Sequence, residues 1–549
     1  MNSVRRGPLW VLLVMLAIAW FGTLDQRRLI NPDEGRYAEI AREMAVSGDW
    51  VTPRLNDLKY FEKPPLQYWA TAVAFTLFGE HHWSARLWSA LTGFLGILFT
   101  VFAAGRLFGA SAGIVAGAVL ASSVLWNLIG HINTLDAAVS FFLSSAVFAL
   151  CLAEREGIGV VESRRWRDGM WALLALGVLS KGLIGLVLPA ATLFAYMIWQ
   201  RDWGLLARTR PLRGMLIVLA ITAPWFIAVS LANPEFPRFF FIHEHFERFL
   251  TKQHGRYEPA WYFIPILLVG MLPWLGSLAQ GLARGWRRDG QAFQPARLLL
   301  VWSVVVFVFF SASGSKLASY ILPIFPALAT LIAVHIADRF GQRNLHWQTL
   351  PGLLIGLAVF VLAFWTTRLE NDRHGIELYA AYQLWFHAAG AALFCGALAA
   401  FILHRRGRHL LATLLLASGG HAAGQIILLG HDHIGTVNSA HDAAQAVRDQ
   451  IPPGVPFFSV NTYDQSLPFY LRRTTTLVSY RGELGFGIAQ EPHKYIANLA
   501  DFETAWHAAP AAWALLNPET AQALAERDFP MTEVFRDARR VIVKKTPSP

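Results

Sequence analysis

Apolar runs long enough to cross a bilayer recur along this chain, and short arginine-rich clusters separate them. A stretch of roughly 17–25 predominantly apolar residues reads as a membrane span. Thirteen such runs fall near 8–24, 86–105, 111–130, 137–153, 169–181, 183–199, 214–232, 260–281, 297–313, 317–337, 348–366, 382–403 and 409–430; the fifth is short and depends on its neighbours. Only 15% of the 549 residues are charged, against about a quarter in soluble domains, so the chain reads as a polytopic α-helical membrane protein. Its net charge of +10 lies in clusters between apolar runs. That is the pattern of loops on one side of a membrane, and it excludes a nucleic-acid footprint. Cys151 and Cys395 both sit inside apolar runs, so no disulfide framework is implied. The basic start and long apolar core of the N-terminus, followed by "TLDQRRL", read as an uncleaved signal anchor.

One ambiguous run, "LQYWATAVAFTLFG" at 66–79, decides the topology. If it lies on the surface, the clusters at Arg5/Arg6, Arg106, Arg155–Arg167, Arg201–Arg213, Arg284–Arg288, Arg339/Arg343 and Arg405–Arg408 all fall on one side. If it spans, most of them flip outward, against the positive-inside rule. The expectation is therefore thirteen spans with the N-terminus inside and the C-terminus outside. Residues 1–430 are expected to form the membrane domain, with sizeable outer loops at 25–85 and 233–259. Residues 431–549 form a soluble α/β domain. In that tail "VPFFSVNTYDQSLPFYL" reads as a strand with a following element, "ADFETAWHAAPAAWALLNPETAQALAERDF" as helical, and "RRVIVKK" as a last strand.

The first outer loop opens with "INPDEGRYAEIAREMAVSG". Asn31 and Pro32 suit an N-cap and first helical position, and Gly48 suits a stop. Tyr37, Ile40, Ala41 and Met44 at helical spacing describe an amphipathic helix on the outer membrane surface. Asp33 and Glu34 fall in its first turn, where the helix dipole alone would favour acids. Against that structural reading stands "YFEKPPLQYW", which gathers Tyr60, Glu62 and Lys63 in the same loop.

The block "NPDEGRYAEIAREMAVSGDWVTPRLNDLKYFEKPPLQYW" resembles the bacterial lipid A aminoarabinosyltransferases, members of the GT-C superfamily of membrane glycosyltransferases. The likeness continues through "HINTLDAAVSFF", "LSKGLIGLVLP", "FFFIHEHFERFL" and "SASGSKLASYILPIFPALA". It implies transfer of 4-amino-4-deoxy-L-arabinose from undecaprenyl phosphate to a lipid A phosphate at the periplasmic face of the inner membrane, conferring resistance to polymyxin and other cationic peptides. Asp33 falls where the family's acidic motif lies, with Glu34 beside it and Asp136 as a further acid. An acceptor phosphate is already ionised near neutral pH. The chemistry therefore asks for cations around two phosphates and an orienting carboxylate, not a strong base.

The expected substrate-binding residues are Arg36, Tyr37, Tyr60, Lys63, Lys181, Arg248, Lys316 and Tyr320. Each lysine has the rival reading of snorkelling to the interface, the tyrosines that of belt aromatics, and Asp136 that of an N-cap. No cofactor is required by this chemistry, although Glu62 with His243 is a candidate for part of a divalent-metal site. In "RFFFIHEHFERFL", Phe239, Ile242, Phe246 and Phe249 are spaced as an apolar helical face, with Arg248 as a donor-phosphate clamp. The partners implied are the lipid-linked sugar donor, lipid A and membrane lipids. Rival classes are a polyprenyl-phosphate glycosyltransferase acting on protein, a transporter of lipid-linked sugar, and a membrane scaffold. A transporter would place ionisable groups near the midplane and show repeated halves, whereas these candidates gather at one face.

Overall fold

A computed structural model describes residues 6–247, 258–369 and 375–546. Among the described residues eight helices are long and apolar enough to cross a membrane: His82–Phe108, Asp136–Ala153, Pro211–Ala232, Pro295–Ala312, Ala318–Ala337, Asn344–Leu369, Ile376–Arg405 and His409–Gly430. The run expected as one span at 260–281 is instead a pair, Phe263–Gly270 and Leu275–Trp286, bent by 109°. Pro273 sits in the break, where it can supply no N–H to continue the ladder. The other expected runs are also helical but less regular or shorter. Arg6–Phe21 forms one helix, and Ala110–Ser122 and Ile184–Gln200 are short apolar helices. The run at 169–181 is the end of a longer helix, Val160–Lys181, whose first turns carry the arginine cluster. Leu66–Phe78 has 13 residues, about 20 Å of helix against the roughly 30 Å of a hydrocarbon core. It is no longer than Ala110–Ser122, and both fall short of a full crossing by length alone.

Close helix contact in the bundle uses small residues. A Cβ on Gly113 would stand 2.6 Å from the Val101 carbonyl oxygen and 2.8 Å from the Gly105 Cα, so only glycine lets Ala110–Ser122 lie this near His82–Phe108. The arginine clusters meet at one end of the bundle. Glu162 takes both Arg106 (3.5 Å) and Arg155 (2.8 Å), Glu154 takes Arg167 and Arg208 (2.7 Å each), and Asp168 takes Arg213 at 2.8 Å.

At the other end the tail folds around a six-stranded sheet, in the spatial order β5-β4-β3-β6-β8-β7. A separate small hairpin in the first outer loop supplies β1 (Arg54–Leu55) and β2 (Leu58–Lys59). The tail supplies β3 (Phe457–Val460), β4 (Thr476–Val478), β5 (Tyr495–Ile496), β6 (Trp513–Leu516), β7 (Met531–Arg536) and β8 (Val541–Lys545). Strands β3 to β6 pair in parallel, and β8 is antiparallel to both β6 and β7. Strand β6 overturns the helical reading of "AAPAAWALLNPE". Trp513 and Leu515 join the core on one face of the sheet, and Ala514 and Leu516 the core on the other. A strand buried on both faces has no polar side to alternate with, so its apolar run looks helical in sequence.

The helix expected on the membrane surface runs Asp33–Ser47 but is buried on nearly every side. Its start is one residue later than expected: Pro32 is the N-cap, and no side chain caps the end. Tyr37, Ile40, Ala41 and Met44 share one hydrophobic core with Tyr68 and Phe75 of the short helix and with Tyr463, Phe469, Leu477 and Leu484 of the tail. The first loop is also stitched to the tail by polar groups. Asn56 donates to the Thr475 carbonyl and accepts from its N–H, both at 2.7 Å. Arg54 pairs with Glu491 at 3.0 Å. At Gly35 a Cβ would stand 2.7 Å from the Ser466 backbone, so the helix start and the tail touch main chain to main chain.

Burying this helix requires its charges to find partners, and Glu43 takes the Asn56 and Asp57 N–H groups, at 2.5 and 2.8 Å. Glu39 takes Arg42 through two bonds of 2.7 Å, and Glu34 takes Arg86 at 2.7 and 2.9 Å with both residues fully buried. The Arg86 guanidinium also donates to the carbonyls of Leu24 (2.8 Å), Arg27 (2.6 Å) and Arg28 (2.8 Å). Burial raises the Glu34 carboxyl, but Arg86 outweighs it and holds the group down at about 2. Removing one partner of such a pair costs about 3–5 kcal/mol. Glu34→Gln is therefore expected to lower the thermal melt sharply at pH 7, while Asp33→Asn next to it leaves the melt in place. The ordinary value of the Glu34 carboxyl is 4.5. Its contribution is thus complete above that pH and fades as pH falls towards 2, a loss that Glu34→Gln should not share. Equal melts for wild type and Glu34→Gln at pH 7 would contradict this account.

Candidate active site

Asp33 opens the buried helix, yet its own side chain stays 37% exposed. One turn on, Arg36 reaches back to it at 3.3 Å, pairs on its other side with Glu483 of the tail, and lies 5.9 Å from the Tyr37 ring centre. Across from them, Asp136 begins the helix Asp136–Ala153 and Lys181 ends Val160–Lys181, and the two are ion-paired. An acid at a helix start and a cation at a helix end each suit the local dipole. Asp136 is not an N-cap: Leu135 holds that position and no side chain caps it. Nor does Lys181 snorkel, because its ammonium stays with Asp136 and lies 4.6 Å over the Tyr320 ring. Asp33 is close enough for its charge to act on both Lys181 and Tyr37, and Asp136 for its charge to act on Tyr37, so these groups belong to one neighbourhood. Burial first, and Asp33 second, push the Tyr37 hydroxyl well above its usual range.

The hairpin β1–β2 delivers the next group. Asn56 and Asp57 at its tip both have positive φ, 55° and 60°, the conformation a two-residue hairpin favours and Asn and Asp tolerate. Immediately after β2 come Tyr60, Glu62 and Lys63. Lys63 donates to the Glu62 carbonyl at 2.8 Å and lies 3.4 Å from Glu244. Tyr60 is buried; burial, then Glu62, raise its hydroxyl well above the usual value. Tyr37 and Tyr60 are 5% and 3% exposed, which removes the belt-aromatic reading for both. The segment Arg238–Glu247 winds as a π-helix rather than with the α-helical spacing expected. His243 there stacks on Phe239, and Phe239 on Phe486 of the tail.

Two expectations change, and two others meet less than they asked for. Glu34 is no part of an open site, because its carboxylate is fully buried on Arg86 and receives the Asn133 N–H at 3.0 Å. Lys316 donates to the main-chain carbonyls of Glu258 (2.8 Å) and Ser313, so its ammonium already serves the loop around it. Glu62 and His243 were expected as part of a metal site; among the described residues no three His, Cys, Asp or Glu side chains are placed to hold an ion. Arg248 lies outside the described residues.

Sequence reasoning missed three members of the site. Glu483 enters from the tail and receives a Gln465 bond of 3.0 Å; burial, against Arg36, raises its carboxyl. Glu244 stands beside Lys63 in the "HEH" triplet where only the flanking residues were considered. Tyr68 is fully buried, has no hydrogen-bond partner for its hydroxyl among the described residues, and lies in the field of Glu62, Arg36, Asp33 and Glu244. Arg36 pairs with the partly open Asp33 carboxylate, the Asp33 charge reaches Lys181, and Lys63 joins the same neighbourhood through Glu62 and Glu244 around Tyr68. Such a set can neutralise phosphate groups and steady positive charge developing on a sugar.

Residues 443–545 match the family model described as the aminoarabinose transferase C-terminal domain. Residues 62–227 match that described as dolichyl-phosphate-mannose-protein mannosyltransferase. The chain is 37% identical over 338 residues to the undecaprenyl phosphate-alpha-4-amino-4-deoxy-L-arabinose arabinosyl transferase of Aeromonas salmonicida, a match covering 61% of this chain and 60% of that relative. It is 37% identical over 410 residues to the corresponding transferase 1 of Proteus mirabilis, covering 70% of this chain and 72% of the relative. The crystal structure of ArnT from Cupriavidus metallidurans bound to undecaprenyl phosphate superposes with a TM-score of 0.94 at 37% identity, covering 99% of both chains. The GT-C architecture is thereby shared end to end, and the chain belongs to the family of undecaprenyl phosphate-alpha-4-amino-4-deoxy-L-arabinose arabinosyl transferases.

Proposed function

We propose that this protein transfers 4-amino-4-deoxy-L-arabinose from undecaprenyl phosphate to a phosphate of lipid A on the periplasmic face of the inner membrane. This reaction would lower the negative charge of the outer surface and protect the cell from polymyxin-like cationic peptides. The observation that carries the reading is the partly open Asp33 carboxylate held by Arg36, with Glu483 of the tail on the other side of that guanidinium and the Asp136–Lys181 pair within reach of the Asp33 charge. Support for the donor comes from the relatives' names and from the similar structure bound to undecaprenyl phosphate.

In this reading the bond from sugar C1 to the donor phosphate oxygen breaks while an acceptor phosphate oxygen bonds to C1. The pair of electrons leaves with undecaprenyl phosphate, so no proton need be abstracted. Lys63 steadies a phosphate, and so does Arg248 in this assignment. Asp136 holds the Lys181 ammonium towards the reacting centre beside Tyr320. Asp33, open on one side and held by Arg36 on the other, stabilises positive charge at the sugar as the old bond lengthens.

The decisive experiment is mass spectrometry of lipid A from a host lacking its own transferase, with and without this chain. Asp33→Asn should keep its melt and lose roughly 10²-fold or more in turnover, about 2.7 kcal/mol of barrier. A folded Asp33→Asn protein retaining more than half of wild-type activity would return Asp33 to a helix-start role. Lys63→Ala should weaken use of the lipid carrier or acceptor without unfolding, and unchanged kinetics would remove it from the site. For orientation, a reporter fused after residue 430 is expected to be active outside the cytoplasm, and a cysteine at position 160 to resist impermeant reagents. The reverse pattern would place the site on the wrong side for this acceptor.

A further inference from the structure

A second basic site lies in the tail, apart from the Asp33 cluster. Arg448, Arg472 and Arg473 line a pocket of 320 Å³ whose other walls are Ile451, Pro452–Gly454 and Leu471, with no carboxylate among the lining residues. Arg448 and Arg472 are half exposed, at 50% and 57%, and each meets one acid outside the pocket. Asp449 is 3.7 Å from Arg448, and Glu80 is 2.8 Å from Arg472. A guanidinium has five N–H donors, so one carboxylate leaves donors of both residues for another anion. Arg473 has no carboxylate partner among the described residues and spends one nitrogen on the Val455 carbonyl.

The place of this pocket narrows its ligand. Arg448 and Arg472 also line the adjoining 250 Å³ cleft with His81 and His82, and His82 is the first residue of the membrane helix His82–Phe108. Trp83 follows it and packs on Phe78, their ring centres 5.3 Å apart, at the end of the short surface helix. Aromatic side chains gather at the level of lipid headgroups, and basic pockets at that level take anionic headgroups. The donors that Asp449 and Glu80 leave over on Arg448 and Arg472, together with Arg473 in the same lining, match a phosphate monoester, which accepts paired N–H bonds in the plane of the fork.

We propose that the Arg448–Arg472–Arg473 pocket binds the phosphate of a membrane-lipid headgroup at the surface beside His82, as a docking site separate from the transfer site. Short-chain phosphatidic acid, phosphatidylcholine and inorganic phosphate, each added to the detergent-solubilised full-length chain, would test this by native mass spectrometry. Wild type should retain phosphatidic acid in preference to the other two. Arg448→Gln/Arg473→Gln should retain it about fivefold less or weaker still, at an unchanged melt. The single variant Arg448→Gln, at a half-exposed position, should show part of the loss even if the double variant folds poorly. Running both on an Asp33→Asn background separates this outcome from the transfer reaction, since retention needs no turnover. Equal retention by wild type and Arg448→Gln, or inorganic phosphate competing as well as the lipid, would overturn the assignment.

Discussion

The guanidinium of Arg86 is the point on which the outer half of this protein turns. Buried without contact to solvent, it closes the loop after the first helix through three carbonyls and takes the Glu34 carboxylate through two bonds. A bare guanidinium at that depth would be prohibitive, and a bare carboxylate no less so. Together they fix where the helix Asp33–Ser47 starts and how it is rotated. Asp33 lies one residue before Glu34, about 100° round the helix, and so is left partly open while its neighbour is locked inward. Two adjacent acids thus acquire opposite duties from one partner.

The tail is part of the site rather than an appendage to it. Glu483 reaches Arg36, Phe486 covers Phe239, and the Ser466 backbone lies against Gly35. The same core that holds the first outer loop also holds Leu477 and Leu484. Arg36 therefore stands between an acid of the membrane domain and one of the soluble domain, and the field at Asp33 is set by both.

Much of the membrane half was legible because its signals are local. An apolar run of sufficient length and an arginine cluster at its end need no knowledge of neighbours. The 13 residues of Leu66–Phe78 could be rejected as a span on length and charge placement alone. Asp33, Lys63, Asp136 and Lys181 could be named from resemblance, but their pairing could not. Glu34 was misread because two carboxylates in a first turn look alike until the Arg86 side chain, 52 positions on, selects one. Strand β6 was misread because burial on both faces erases the alternation that marks a strand. Glu483 was invisible for a third reason: its partner lies 447 positions earlier, and neither residue's surroundings hint at the other.

The bonds between Asn56 and Thr475, Arg54 and Glu491, and Leu29 and Tyr470 join positions 419, 437 and 441 residues apart. A ribosome releases residues 29–56 long before their partners exist. During that interval the helix at Asp33 has its Arg86 anchor but lacks half its cover, so its apolar flank must wait against lipid or water. Contacts this distant in sequence close late, after the loop-closure entropy has been met. The surroundings of Asp33 are consequently among the last features to form, and a chain halted at the final membrane helix would carry Asp33 and Arg36 without Glu483 and the tail core that packs on their helix. Catalytic competence is in this way tied to completion of synthesis, with no separate device needed to silence a half-made enzyme.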